Sequence, residues 1–179
     1  MSPLLIVLLV VAAAVLGVLA LALSRPNVFR IERSTLVEAP PEAIYPLIAD
    51  FKGWNRWSPF EAMDPNLRRS YAGSAQGAGA LYAWEGRKAG SGRMEIVEAT
   101  LSKVLIKLDF FKPFEGHNQA EFTLVPEAAG TRVSWAMFGP QTLFPGKLMS
   151  LVFNMEHNLG PTFEKGLADM KTAAEASGK

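Results

Sequence analysis

Hydrophobic and polar positions divide this chain into three stretches with different periods. Leu4 to Leu23, LLIVLLVVAAAVLGVLALAL, is apolar everywhere except Gly17. A helix of that length reaches about 30 Å at ~1.5 Å per residue, the thickness of a bilayer's hydrocarbon core. It has no polar face, which argues against an ordinary core helix. Ser24-Arg25-Pro26-Asn27 closes the run with polar and helix-stopping residues. The period then changes to two. Phe29, Ile31, Arg33, Thr35 and Val37 alternate with Arg30, Glu32, Ser34, Leu36 and Glu38, which predicts a strand. Ala39-Pro40-Pro41-Glu42 signals a helix start, and Ile44, Leu47, Ile48 and Phe51 form a helical stripe that Pro46 should shorten or bend. FKGWNRWSPF (51–60) reads as a second short helical or turn piece, ended by Ser58-Pro59.

Further strands are predicted at 66–71, 80–84, 93–99, 103–111, 119–125 and 131–138. Met94, Ile96 and Glu98 should share one face, as should Val104, Ile106, Leu108 and Phe110, and Val133, Trp135 and Met137. Glu85 to Gly92 reads as a turn, and Gly73, Gly77 and Gly79 as a loop at a cavity mouth. The third stretch returns to helical spacing. Leu148, Leu151, Val152, Met155, Leu159, Phe163, Leu167, Met170 and Ala174 form one stripe, with a kink expected at Gly160-Pro161. The economical packing is α+β: a curved antiparallel sheet of about seven strands, with the long terminal helix across its concave face. A sheet of that shape cannot close on a helix along its whole length, so a cavity between them is expected.

Composition changes this picture in three ways. All charged residues lie from Arg25 onward, so the part after the apolar run has an ordinary soluble composition. Three units follow: an anchor at 1–24, a linker at 25–28 and a ligand-binding domain at 29–176. The net charge of +1 argues against nucleic acid as a partner, because phosphate binding needs a basic excess. The absence of cysteine removes disulfides, thiolate nucleophiles and cysteine-ligated metals. A cleaved signal is the rival for the first unit, since Ala20-Leu21-Ala22 offers a small-x-small site, but no basic residue precedes the apolar run. Arg25, Arg30 and Arg33 follow it, so the positive-inside tendency puts the domain in the cytoplasm behind a single membrane pass.

Several segments are similar to a known family. The W-x-x-W-S-P piece (Trp54 to Pro59), the glycine-rich YAGSAQGAGALYAWEGRKAGSGRMEI stretch (71–96) and the G-x-x-F-x-x-G-L piece (Gly160 to Leu167) resemble the SRPBCC superfamily. These are START-like, helix-grip proteins, and the nearest group is polyketide cyclase/dehydrase-like. The resemblance covers about 29–175. It implies a helix-grip fold and a deep apolar cavity for lipids, sterols or polyketides; it implies no single reaction, because fold does not settle function.

The residues carry no metal, nucleophile or phosphate-loop motif, so neither a metal nor another cofactor is expected. Aromatic side chains are the main signal. Tyr82, Trp84, Phe110 and Trp135 sit mid-strand and are the candidates for a ligand cavity, joined by Phe153 and His157 from the last helix. His157 is expected sideways or toward the cavity rim. Trp54 and Trp57 should pin the short helices to the sheet. Glu85, Glu95, Asp109, Glu121, Glu156 and Arg93 would be the acids and bases of an enzyme, but the solvated outer face is the simpler placement for each. Arg68-Arg69 and Arg87-Lys88 read as solvated loop charges.

The leading expectation is a membrane-anchored domain binding a hydrophobic small molecule or lipid. The linker of about five residues reaches under about 18 Å, which would hold the cavity near the bilayer. The alternatives are a cyclase/aromatase- or hydratase-like enzyme using a cavity acid or Tyr82, which predicts a buried titratable group facing the cavity, and a protein-interaction or stress-response module whose cavity is filled by its own side chains.

Overall fold

The computed structural model describes residues 2–24, 26–140, 147 and 155–176. Helix α1 spans Pro3–Leu23, with Ser2 accepting a hydrogen bond from the Leu5 amide at 3.3 Å and Pro3 in the first turn. Its side chains point outward and only Ala22 is buried. Its length and mean hydropathy of 3.3 suit a membrane span, a test that a signal sequence near the N-terminus also passes.

Seven strands follow: β1 (Val28–Val37), β2 (Arg68–Gly73), β3 (Ala80–Gly86), β4 (Gly90–Thr100), β5 (Lys103–Lys112), β6 (Gly116–Glu127) and β7 (Gly130–Pro140). They form one sheet in the order β1-β7-β6-β5-β4-β3-β2 with every pair antiparallel. Between β1 and β2 lie α2 (Pro41–Ala49) and two 3₁₀ helices, Phe51–Arg56 and Pro59–Ala62. α2 runs through Pro46, and the chain re-forms as a second 3₁₀ turn at Pro59, where the sequence pattern pointed only to an ending. Helix α3 (Met155–Ala176) completes the α+β architecture.

The inward face of the sheet follows the alternation. Val104, Ile106 and Leu108 on β5 and Val133, Trp135 and Met137 on β7 are buried. Three local readings need correction. A bulge in β4 pairs Ile96 with Ile106 but Glu98 with Leu105. The inserted residue reverses the alternation, so Ala99 joins the core and Glu98 turns out to pair with Lys103 at 2.8 Å. The supposed turn from Glu85 to Gly92 is mostly strand, since β3 runs to Gly86 and β4 resumes at Gly90. Gly92 is there because the Trp84 ring lies against it, and a Cβ would strike that ring. The glycine-rich loop after β2 borders a separate hollow beside Asp50, Phe51 and Tyr71 rather than the space between the sheet and the last helix. Its Gly77 amide donates to Ala49 O at 2.9 Å and its Gly79 amide to Ile96 O at 2.8 Å, which ties it to α2 and β4.

α3 continues through Pro161 and buries Phe163, Leu167, Met170 and Ala174, the expected stripe. Leu148, Leu151, Val152 and Phe153 lie outside the described residues, as does the side chain of Met155. Arg33 on β1 fastens the helix by Nε to Glu164 at 2.7 Å and by Nη1 to Glu156 at 2.6 Å. The glycines of the G-x-x-F-x-x-G-L piece are contact positions. A Cβ on Gly160 would strike Arg33, and one on Gly166 would strike Trp135 and Pro59. That spacing lets α3 settle on β1 while Phe163 reaches the sheet interior.

Candidate functional site

Between the inner face of the sheet, the two 3₁₀ helices and α3 lies a cavity of about 210 Å³. Its closed side is aromatic. Trp135 stacks on Phe163 with centroids 4.1 Å apart and planes at 5°, and on Phe122 at 5.2 Å and 21°. Phe60 meets both Trp135 and Phe163 edge-on. The flank on β3 to β5 carries Tyr82, Trp84, Met94, Leu108 and Phe110, with Trp84 and Phe110 edge to face at 5.7 Å. Met63, exposed by half, and the exposed Lys88 stand at the rim.

The polar exceptions in this apolar wall are few. Glu61, from the second 3₁₀ helix, holds its side chain at 9% exposure. Its Oε1 accepts from the Tyr82 hydroxyl at 2.6 Å and its Oε2 from Arg69 Nε at 2.5 Å, while Arg69 Nη2 donates to the Glu61 carbonyl at 2.9 Å. Burial, reinforced by the hydrogen bond to Glu61, pushes the Tyr82 hydroxyl far above the usual phenol range, so it stays protonated and donates. The hydrogen bond to Glu61 likewise raises Arg69. Two further polar atoms of lining residues have no partner among the described residues: Ser58 Oγ and Trp135 Nε1, in side chains 5% and 3% exposed. Buried donors without partners are uncommon in folded proteins, and each one that occurs asks for an explanation.

The aromatic candidates Tyr82, Trp84, Phe110 and Trp135 therefore meet around one cavity. His157 is exposed on α3 and does not line it; Phe153 lies outside the described residues. Trp54 and Trp57 pin the short helices as expected, donating from Nε1 to Ile48 O at 2.9 Å and Leu47 O at 2.8 Å, and Trp54 also touches the cavity. Arg69 is not a loop charge, since it lies in β2 and holds Glu61, whereas Lys88 is an exposed turn residue that also reaches the rim. The cavity is open rather than filled by its own side chains, unlike the expectation for a pure interaction module. Glu61 and Ser58 escaped the sequence pattern because they sit in and beside a 3₁₀ turn, where neither period applies. The available signal was their position on either side of Pro59-Phe60, directly after the Trp pair.

The acids singled out in the sequence lie elsewhere. Glu85 pairs with Arg68, Glu121 with Arg30 and Glu156 with Arg33. Asp109 is the surprise. Alternation turns it to the outer face, yet it is only 4% exposed. His117 Nδ1 at 2.8 Å, Lys107 Nζ at 3.4 Å and Arg93 Nη2 at 3.6 Å cover it. Burial raises its carboxyl, but the hydrogen bonds from His117 and Lys107 outweigh that and hold it below the usual range. It faces away from the cavity and fastens β4, β5 and β6 from outside.

Three comparisons bear on this geometry. The profile of the family described as polyketide cyclase / dehydrase and lipid transport matches residues 28–175. Among solved structures, a protein of Chromobacterium violaceum is similar with a TM-score of 0.57 and 16% identity, over 84% of this chain and 99% of that one. A protein of Mesorhizobium loti has a TM-score of 0.60 and 10% identity, over 83% and 98%. The di-domain aromatase/cyclase StfQ of the steffimycin biosynthetic pathway has a TM-score of 0.61 and 11% identity, over 85% of this chain and 52% of that one. At these identities the likeness is one of fold. No curated protein matches.

Proposed function

We propose, from the premise that the chain belongs to the polyketide cyclase / dehydrase and lipid transport family, that it is a membrane-anchored binding domain for an amphipathic small molecule. The ligand has an apolar body and one oxygen-bearing end. The observation that carries this is the pairing of an aromatic wall with two unpartnered buried polar groups, Ser58 Oγ and Trp135 Nε1. A ligand carbonyl or hydroxyl would supply the missing acceptor. Size limits the choice. A void of about 150 Å³ admits benzene, and pockets for whole drug-sized ligands measure about 300–1,000 Å³. The cavity here falls between, so it takes an acyl segment or a single ring and leaves the rest of a larger lipid outside its rim. α1 supports the anchored half of the reading, and the basic residues after it favour a cytoplasmic domain by the positive-inside tendency.

The test uses the full chain in detergent micelles. A doxyl-labelled fatty acid is titrated against tryptophan fluorescence, and native mass spectrometry follows extraction from membranes. Saturable quenching and a retained apolar species are expected. An empty protein and no saturable quenching would sink the reading. Protease added to sealed vesicles should cleave the domain only when the cytoplasmic face is outward.

One observation favours a second reading, a cyclase- or dehydrase-like enzyme: the Glu61 carboxylate, fixed by Tyr82 and Arg69, lines an otherwise apolar wall. Such a carboxylate can take a proton from a bound carbon acid while Tyr82 stays neutral. Glu61→Gln separates the two. An enzyme loses turnover and keeps ligand, whereas a binding protein shows no turnover to lose.

A further inference from the structure

The strand register places several features at one end of the sheet. Val28 pairs with Pro140, Gly116 with Phe110, Ser91 with Lys112, Gly86 with Gly90, and Arg68 with Glu85. The start of β1, the β5–β6 hairpin tip and the β3–β4 turn therefore share an end. The chain enters β1 there from α1, which finishes at Leu23. The β5–β6 tip reads FFKPFEG (110–116). Phe110 lines the cavity, while Phe111 is 52% and Phe114 76% exposed. The neighbouring β3–β4 turn carries Arg87 and Lys88, both exposed, and Lys112 is exposed within the tip. Lys88 and the half-exposed Met63 belong to the cavity rim. The acids at this end are partly engaged already, Glu85 with Arg68 and Glu115 with His117.

Single exposed apolar residues are ordinary; two phenylalanines within four positions, flanked by cations and beside a cavity mouth, are not. β5 is three strands from β1, about 14 Å at ~4.8 Å per strand. A tip that close to the point where an apolar span enters the domain meets the headgroup region of the bilayer holding that span. Aromatic rings and lysines suit that region, the rings in the acyl boundary and the ammonium groups among anionic headgroups.

We propose that the β5–β6 tip, through Phe111 and Phe114, docks into the interface of an anionic bilayer and seats the cavity rim against lipid. This rests on the anchored reading above, and it supplies the route by which part of a membrane lipid enters a cavity too small for all of it. The docking is passive: the rim faces the bilayer, and a lipid end passes Met63 and Lys88 without crossing water.

The chain has no cysteine, so single-cysteine labelling is clean. Full-length chain is reconstituted into phosphatidylcholine vesicles with and without phosphatidylserine. A nitrobenzoxadiazole label is attached at Glu115→Cys on the tip, at Leu101→Cys on the opposite end of the sheet, or at Val11→Cys within α1. Quenching is read with lipids spin-labelled high on the acyl chain. The Glu115 label should blue-shift and be quenched, more strongly with phosphatidylserine, and the Leu101 label should not. Adding Phe111→Ser and Phe114→Ser to the Glu115→Cys chain should abolish the quenching; both sites are exposed, so the fold is kept. If the tip label behaves like the Leu101 label while the Val11 label is quenched, docking is wrong and the anchor stands. If the Val11 label stays in water, the anchored reading fails, and the tip label then decides docking alone: quenched, the tip binds lipid without an anchor; unquenched, both ideas are wrong.

Discussion

Trp57 and Trp135 touch edge to face, their centroids 5.4 Å apart, and both are almost fully buried, yet they belong to two kinds of interior. Trp57 sits in the layer of short helices. Its indole N–H is donated to Leu47 O, and its ring is packed by Trp54 and Phe122. Trp135 sits mid-sheet, with its ring stacked between Phe122 and Phe163, its edge on the cavity and its N–H without an acceptor among the described residues. The first tryptophan is finished by the fold. The second is left incomplete among the described residues, and on the proposed reading a ligand completes it. Burial alone does not separate structure from site here; completion of hydrogen bonding does.

The largest expected effect therefore falls on the finished side. Trp57→Ala removes a fully buried ring and leaves the Leu47 carbonyl without its donor, at a cost of about 3–5 kcal/mol. Thermal or urea unfolding of the full chain in detergent would show it as a large drop or as failure to fold. A near-neutral Trp57→Ala would erase the distinction between the two regions.

Next comes the pair that joins them. Glu61→Ala strands the Tyr82 hydroxyl and frees Arg69, which is partly exposed and regains water. The loss is expected at about 1–3 kcal/mol, mostly from the unsatisfied phenol. Glu61→Gln keeps an acceptor for Tyr82 and should recover most of that stability. If Glu61→Gln is as unstable as Glu61→Ala, the charge on Arg69 matters more than the hydrogen bond to Tyr82.

Trp135→Phe probes the unfinished side. No internal hydrogen bond is lost, and removal of an unsatisfied donor offsets part of the lost packing, so stability should move by less than about 1 kcal/mol. Affinity for the doxyl-labelled fatty acid, read by quenching of the remaining tryptophans, should instead fall roughly fivefold, the equivalent of one hydrogen bond of about 1 kcal/mol. The reverse pattern, with large destabilisation and unchanged affinity, would make Trp135 a second Trp57.

What the sequence disclosed follows the same division. Alternation exposed the inward residues of β5 and β7, and mid-strand position was enough to gather Tyr82, Trp84, Phe110 and Trp135 around one space. It failed where backbone geometry leaves the two regular periods. Glu61 and Ser58 lie in and beside a 3₁₀ turn, Glu98 lies past a bulge, and Gly92 marks the resting place of the Trp84 ring rather than a turn. Asp109 obeyed alternation and was still misjudged, because an outward strand position says nothing about long cations on neighbouring strands folding over it.

That outer cluster gives the smallest effect and a control for the other three. Asp109 lies on the face opposite the cavity, so perturbing it should leave ligand affinity alone. The hydrogen bond to Asp109, and secondarily the charges of Asp109 and Glu115, raise the His117 imidazole above its ordinary value. The folded state therefore holds this proton more tightly than the unfolded chain. Its contribution is fully present below the ordinary imidazole pKa and is lost as pH rises through the higher value in the fold. Arg93 and Lys107 also face Asp109, so the carboxylate keeps cationic partners after His117 is neutral and the effect is small. Unfolding midpoints of the full chain should decline slightly from mildly acidic to mildly alkaline pH. His117→Gln should flatten that slope while the fatty-acid affinity stays unchanged at every pH. A slope that survives His117→Gln assigns the titration to another group. An affinity that follows the slope means that the two faces of the sheet are coupled, and that the cavity cannot be treated apart from the strands behind it.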